Sequence, residues 1–144
     1  MRSIPAKARP NERARRKALR QQYLRALKAV PGVYPVRIPE GVNDSLQYMA
    51  VRIDAEQFGM TRDDLHARLK RYNVFARKYF FPLCSEYGCY AAARRGDLRH
   101  AKAAAAAILC LPFYGQLTAD SLDRIVEILL SIHYGAAARS WTPA

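Results

Sequence analysis

Leu19, Tyr23, Ala26, Leu27 and Val30 recur at helical spacing among arginines and lysines. That pattern predicts an amphipathic helix with a narrow apolar stripe, stopped by Pro31-Gly32. Residues 33–38 are short, β-rich and bounded by Pro39-Glu40-Gly41, which suits an edge strand that tolerates proline. Residues 46–53 are nearly all apolar and predict a central strand, with Arg52 turned to the face opposite Val51 and Ile53.

The second half repeats the same grammar. Thr61 is a good N-cap, and Asp64 stands where a capping box places an acid. The helix it opens has Leu65, Leu69 and Tyr72 as its expected buried stripe. Arg68, Lys70 and Arg71 crowd its last turn, where the helix dipole favours cations. Residues 73–80 predict a third strand, and residues 82–97, without a strong period, a long loop. Asp97 suits the cap of an alanine-dense helix over 98–107. Residues 108–111 predict a short buried strand ended by Pro112, and Thr118 caps a last helix with the stripe Leu122, Ile125, Val126, Leu129 and Ile132. The first two strands can pair as a hairpin across 39–45. The expected fold class is α+β: a small, mostly antiparallel sheet packed with helices. The expected bounds are a linker or disordered 1–10, one domain over 11–134 and a flexible tail over 135–144.

Composition narrows the function classes. At 144 residues the chain is one domain in size, too small for a large multidomain enzyme. Three cysteines do not make a disulfide scaffold. The longest uncharged apolar run, 103–114, is too short to span a bilayer, so no membrane contact and a reducing, cytoplasmic setting are expected. The net charge of +12 is concentrated. Residues 1–28 carry ten basic groups and one acid, Glu12, giving +9, while the rest carries 14 basic and 11 acidic groups, giving +3. Such a segment can neutralise phosphates of nucleic acid or an anionic membrane. It also suits a solvated face of a docked helix, because it lacks the aromatic platforms of single-strand binders.

Few side chains combine into chemistry. His66, His100 and His133 share no spacing, and Cys84, Cys89 and Cys110 form no CxxC, so neither a metal site nor catalytic residues are expected. One segment differs. From Asn73 through Arg77, Lys78, Tyr79, Phe80 and Phe81 to Leu83 it puts a guanidinium, an ammonium and a phenol beside several rings. Arginine grips phosphate or carboxylate bidentately, and an aromatic ring stacks on a base or sugar face. The competing reading is an aromatic core edge with flanking surface charges.

This segment and its flanks resemble the C-terminal small domain of the DegT/DnrJ/StrS family of pyridoxal-phosphate-dependent sugar aminotransferases. The resemblance runs from about residue 11 to 133. It is carried by Arg15-Arg16-Lys17, Tyr23, Leu27, Pro31-Gly32, residues 48–53, Thr61-Arg62-Asp63-Asp64-Leu65, the block 73–83, and residues 100–114 with the helix after them. It implies transfer of an amino group, usually from glutamate, to a nucleotide-linked keto sugar by fold-type I homodimers. The cofactor pyridoxal phosphate and its lysine belong to the family's large domain, and no lysine here matches that one. The resemblance therefore implies a truncated or split enzyme, inactive and without cofactor by itself, with a large-domain chain or a homodimer as partner and a nucleotide-linked sugar as ligand. It carries Arg77, Tyr79, Phe80 and Phe81 over as substrate-binding residues, and Lys78 is not carried over as a ligand. The alternatives are a stand-alone sugar-nucleotide binding module and a basic nucleic-acid-associated protein, although the charge does not require nucleic acid.

Overall fold

The computed structural model describes residues 9–79, 81–93 and 96–140. The elements run α1 (Arg9–Ala26), β1 (Val33–Pro35), β2 (Met49–Ile53), α2 (Ala55–Phe58), α3 (Arg62–Arg71), α4 (Arg99–Ala107), β3 (Ile108–Leu111) and α5 (Ala119–Ser140). The sheet is antiparallel with β2 in the centre, so the fold is α+β as expected.

α1 ends in a tight turn over Leu27–Ala29, and Gly32 then takes a left-handed φ of +73°. Glycine is required there twice over, because a Cβ would stand 2.4 Å from the Phe58 backbone nitrogen. The Gly32 carbonyl accepts from Asp54 N–H at 2.8 Å, which closes β1 onto the end of β2. Val33 pairs with Ile53 and Pro35 with Val51, so the first two strands are a hairpin with β1 at the edge.

Alternation along β2 buries Met49, Val51 and Ile53 and leaves Arg52 exposed, its guanidinium 4.9 Å from the centre of the Tyr34 ring. The buried face meets Leu109 and Leu111 of β3, Leu19 and Tyr23 of α1, Leu65 and Leu69 of α3, and the whole expected stripe of α5. Tyr23 is fully buried and donates its hydroxyl to the Pro112 carbonyl at 2.9 Å, which ties α1 to the exit of β3. Burial raises its pKa further above the ordinary phenol value, with Tyr114 adding to the rise. Thr61 caps α3 as expected, accepting from Asp64 N–H at 3.2 Å, and Thr118 does the same for α5 through Ser121 N–H.

Four expectations change. The third strand over 73–80 reduces to one bridge, Arg77 with Cys110. Leaving α3 uses the preceding residues: Val74 N–H closes on the Leu69 carbonyl, and Asn73 takes a φ of +59°. The same turn swings Tyr72 out of the stripe, so it is exposed instead of buried. The loop after Pro82 contains short 3-10 turns at Cys84–Glu86 and Gly88–Ala93. Finally, α5 passes Gly135 and reaches Ser140, consistent with the helix-favouring alanines at 136–138. Residues 1–8 and 141–144, parts of the expected linker and tail, lie outside the described residues. Among the described residues no helix is long and apolar enough to cross a membrane.

Candidate functional site

The single bridge of the 77 segment places the candidate site. Arg77 N–H donates to the Cys110 carbonyl at 2.9 Å, and Cys110 N–H returns a bond to Arg77 at 2.8 Å. Cys110 is itself the registered partner of Ala50 on β2. Arg77 and Tyr79 thereby line one cavity of about 360 Å³ with Arg16, Gln47, Tyr48 and the exit of β3. Arg77 Nη1 donates to the Tyr79 hydroxyl at 2.9 Å, and this bond is the main cause of the raised Arg77 pKa. The Tyr48 and Tyr79 rings meet at 4.9 Å with a tilt of 56°. A guanidinium and two tilted phenols thus share one opening.

The cavity holds a second arginine, but that one is committed. Arg16 donates from Nε and Nη2 to Glu12 at 3.0 and 2.7 Å, and from Nη1 to the Leu46 carbonyl at 3.0 Å. Its neighbours on α1 are committed in the same way. Arg13 donates to the Asp44 carbonyl at 3.0 Å, and Arg20 pairs with the Asp44 carboxylate at 3.0 Å. By contrast, no carboxylate pairs with Arg77 among the described residues, and none lines the cavity. The chemistry on offer is recognition of an anion beside a ring or sugar face.

The four expected site residues separate. Arg77 and Tyr79 come together in the cavity. Phe81 lies outside its lining and faces Arg62 and Lys78 instead, with centroid distances of 5.1 and 5.6 Å. Phe80 lies outside the described residues. Lys78 pairs with Asp63 at 2.8 Å. Tyr48, Gln47, Cys110 and Arg16 were not expected at the site. Strand alternation carries the signal for Tyr48: it shares the parity of Ala50 and Arg52, opposite the buried Met49 and Val51.

Other candidate chemistry stays apart. His66, His100 and His133 sit on α3, α4 and α5, and no metal-binding group of three or more ligands occurs among the described residues. The cysteines are free; burial pushes the Cys110 thiol up to about 11, so it stays protonated. The lining side chains include no lysine, so they do not fit the amine-linked seat that pyridoxal phosphate needs. A second groove of about 320 Å³ shares Phe75, Pro112 and Tyr114 with the first and continues over Leu117, Ile125 and Ile128.

The fold and site define a small α+β unit in which Arg77, unpaired with any carboxylate among the described residues, faces a ring-lined cavity. The sequence profile of the DegT/DnrJ/EryC1/StrS aminotransferase family matches residues 7–130, and the chain belongs to that family. It is 34% identical over 122 residues to a dTDP-4-amino-4,6-dideoxy-D-glucose transaminase of Escherichia coli, covering 81% of this chain and 32% of that protein. It is 33% identical over 112 residues to the enzyme of that name from Shigella dysenteriae, covering 76% of this chain and 30% of that one. The crystal structure of DesI in the presence of its TDP-sugar product superposes with a TM-score of 0.78 at 27% identity, over 88% of this chain and 33% of that one. The chain thus spans about a third of the length of the relatives it matches.

Proposed function

We propose that this chain is the substrate-gripping part of a nucleotide-sugar aminotransferase, with Arg77 and Tyr79 contacting the diphosphate and sugar side of the ligand. The observation that carries this reading is Arg77, bonded to Tyr79 and paired with no carboxylate among the described residues, in a ring-lined cavity whose lining holds no carboxylate. Two relatives supply the ligand class: one is a dTDP-amino-sugar transaminase and the other was crystallised with a TDP-sugar. The cofactor of the complete enzyme is pyridoxal phosphate, and its lysine belongs to the polypeptide that makes up the rest of such an enzyme. Alone, the chain holds no cofactor and transfers no amino group. The apolar groove beside the cavity and the exposed Phe75 support a partner surface covering this side, from a large-domain chain or within a homodimer. The reading includes a cytoplasmic location and a domain over 11–134.

The nucleic-acid alternative is weakened, because Arg16 and Arg20 of the basic segment are paired with carboxylates of the chain itself and Arg13 with a backbone carbonyl, leaving Arg15, Lys17, Arg25 and Lys28 among its exposed charges. Titration of the chain with thymidine diphosphate, followed by NMR, tests the proposal. Signals of Arg77, Tyr79, Tyr48 and Cys110 should shift together. Shifts confined to α1, or none at saturating ligand, would overturn it. Incubation with pyridoxal phosphate followed by desalting should leave no cofactor absorbance; a retained band would contradict the inactive-alone part of the reading.

A further inference from the structure

The side chains around residue 78 divide between two sides. Arg77 and Tyr79 line the cavity, while Lys78 and Phe81 meet the start of α3. There Lys78 Nζ lies 2.8 Å from Asp63 Oδ1, and Arg62 Nε lies 3.0 Å from the same oxygen. Arg62 is the one buried charged residue among the described residues, its side chain 1% exposed. Its Nη1 donates to the carbonyl of Ile108, the first residue of β3, at 2.9 Å. Its guanidinium carbon stands 5.1 Å from the centre of the Phe81 ring, and Lys78 Nζ stands 5.6 Å from it. Nε and Nη2 are buried with no hydrogen-bond partner among the described residues, so the Nε contact with Asp63 is an ion pair without hydrogen-bond geometry.

Burying a cation costs several kcal/mol and is offset only by close partners. Plain core packing at this position is better served by a leucine or methionine. What the guanidinium does that an aliphatic side chain does not is join three elements at one point: α3 through Asp63, β3 through Ile108, and the 77–81 segment through Phe81. The segment has little backbone support, because among the described residues its one bridge to the sheet is Arg77–Cys110.

We propose that Arg62, Asp63, Lys78 and Phe81 form a latch that holds the 77 segment against β3 and so positions Arg77 and Tyr79 at the cavity. Arg62 and Lys78 are positioning residues, and they do not touch the ligand. The lowered pKa of Asp63, caused first by its hydrogen bond from Lys78, agrees with a tight contact. The consequence for binding rests on the nucleotide-sugar reading above; the consequence for the backbone does not.

Amide hydrogen exchange and thymidine diphosphate titration on the full chain test the latch together. Lys78→Met should speed exchange of the Arg77 and Cys110 amides by about tenfold, while α5 amides keep their rates. Lys78→Arg should restore both rates. Thymidine diphosphate affinity should fall about tenfold in Lys78→Met and recover in Lys78→Arg. Unchanged exchange at Arg77 overturns the latch. Faster exchange with unchanged affinity overturns its positioning role. Faster exchange in a chain whose wild type binds no thymidine diphosphate keeps the latch and removes the ligand reading. Arg62→Met is the sharper variant; should it fail to fold, Asp63→Asn breaks the same contact at a half-exposed position.

Discussion

Arg16 of α1 and Arg77 line the same cavity and behave oppositely, and Arg13 and Arg20 follow Arg16. Arg16 and Arg20 look inward: each is fixed to a carboxylate, and with Arg13 they pin the loop over 36–46 to the helix. Arg77 looks outward, and its one side-chain partner among the described residues is a neutral phenol. The sequence concentrates charge in the first region, yet of the two arginines that line the cavity only the one from the second is free of a carboxylate among the described residues. A basic run is therefore a poor locator of an anion site, since each guanidinium counts only as far as its donors remain unengaged.

The largest effect should come from breaking the tie between α1 and the exit of β3, the strand that Arg77 bridges. Tyr23→Ala removes a fully buried ring and the bond to Pro112, and should cost about 3–5 kcal/mol in urea unfolding. Arg77→Ala comes next and should leave stability within about 0.5 kcal/mol of wild type, as expected at an exposed position. Its thymidine diphosphate affinity should drop by about 1.5–3 kcal/mol, as expected for a hydrogen bond to a charged group. Asp44→Ala should show the reverse. It frees Arg20 and loses the 2.9 Å bond from Leu46 N–H, costing about 1–2 kcal/mol of stability with no change in affinity. The smallest effect concerns pH. The folded-state pKa of Asp63 lies below its ordinary 3.8, so its stabilising contribution is complete above that value and is lost as pH falls through the folded pKa. The stability advantage of wild type over Asp63→Asn should accordingly be full at neutrality and vanish in acid, as urea unfolding across that range would show.

Elements whose order rests on local chemistry were legible. The caps Thr61 and Thr118, the stop at Pro31-Gly32 and the α5 stripe follow from neighbours along one element, and the hairpin follows from two strand patterns that are consecutive in the chain. The 73–80 segment reads as a strand because its alternation is real, while among the described residues it forms one bridge and no ladder. Val74 and Ala76 are buried, and Phe75 and Arg77 are exposed, as a strand requires. Only Arg77, however, reaches β3, a long-range outcome that no local pattern encodes. Of the site, Arg77 and Tyr79 were visible as a charged, aromatic run. Tyr48 and Arg16 arrive from other elements through the fold, and Phe81 leaves the cavity for Arg62, whose burial no local pattern announces.

The division of labour between the two arginine regions can be read in one titration series. Thymidine diphosphate is added to wild type, Arg77→Ala and Asp44→Ala, and affinity is measured beside unfolding free energy. The account predicts that Arg77→Ala loses affinity at full stability, and that Asp44→Ala loses stability at full affinity. Equal affinity in wild type and Arg77→Ala, or a loss only when the α1 side is disturbed, would contradict it.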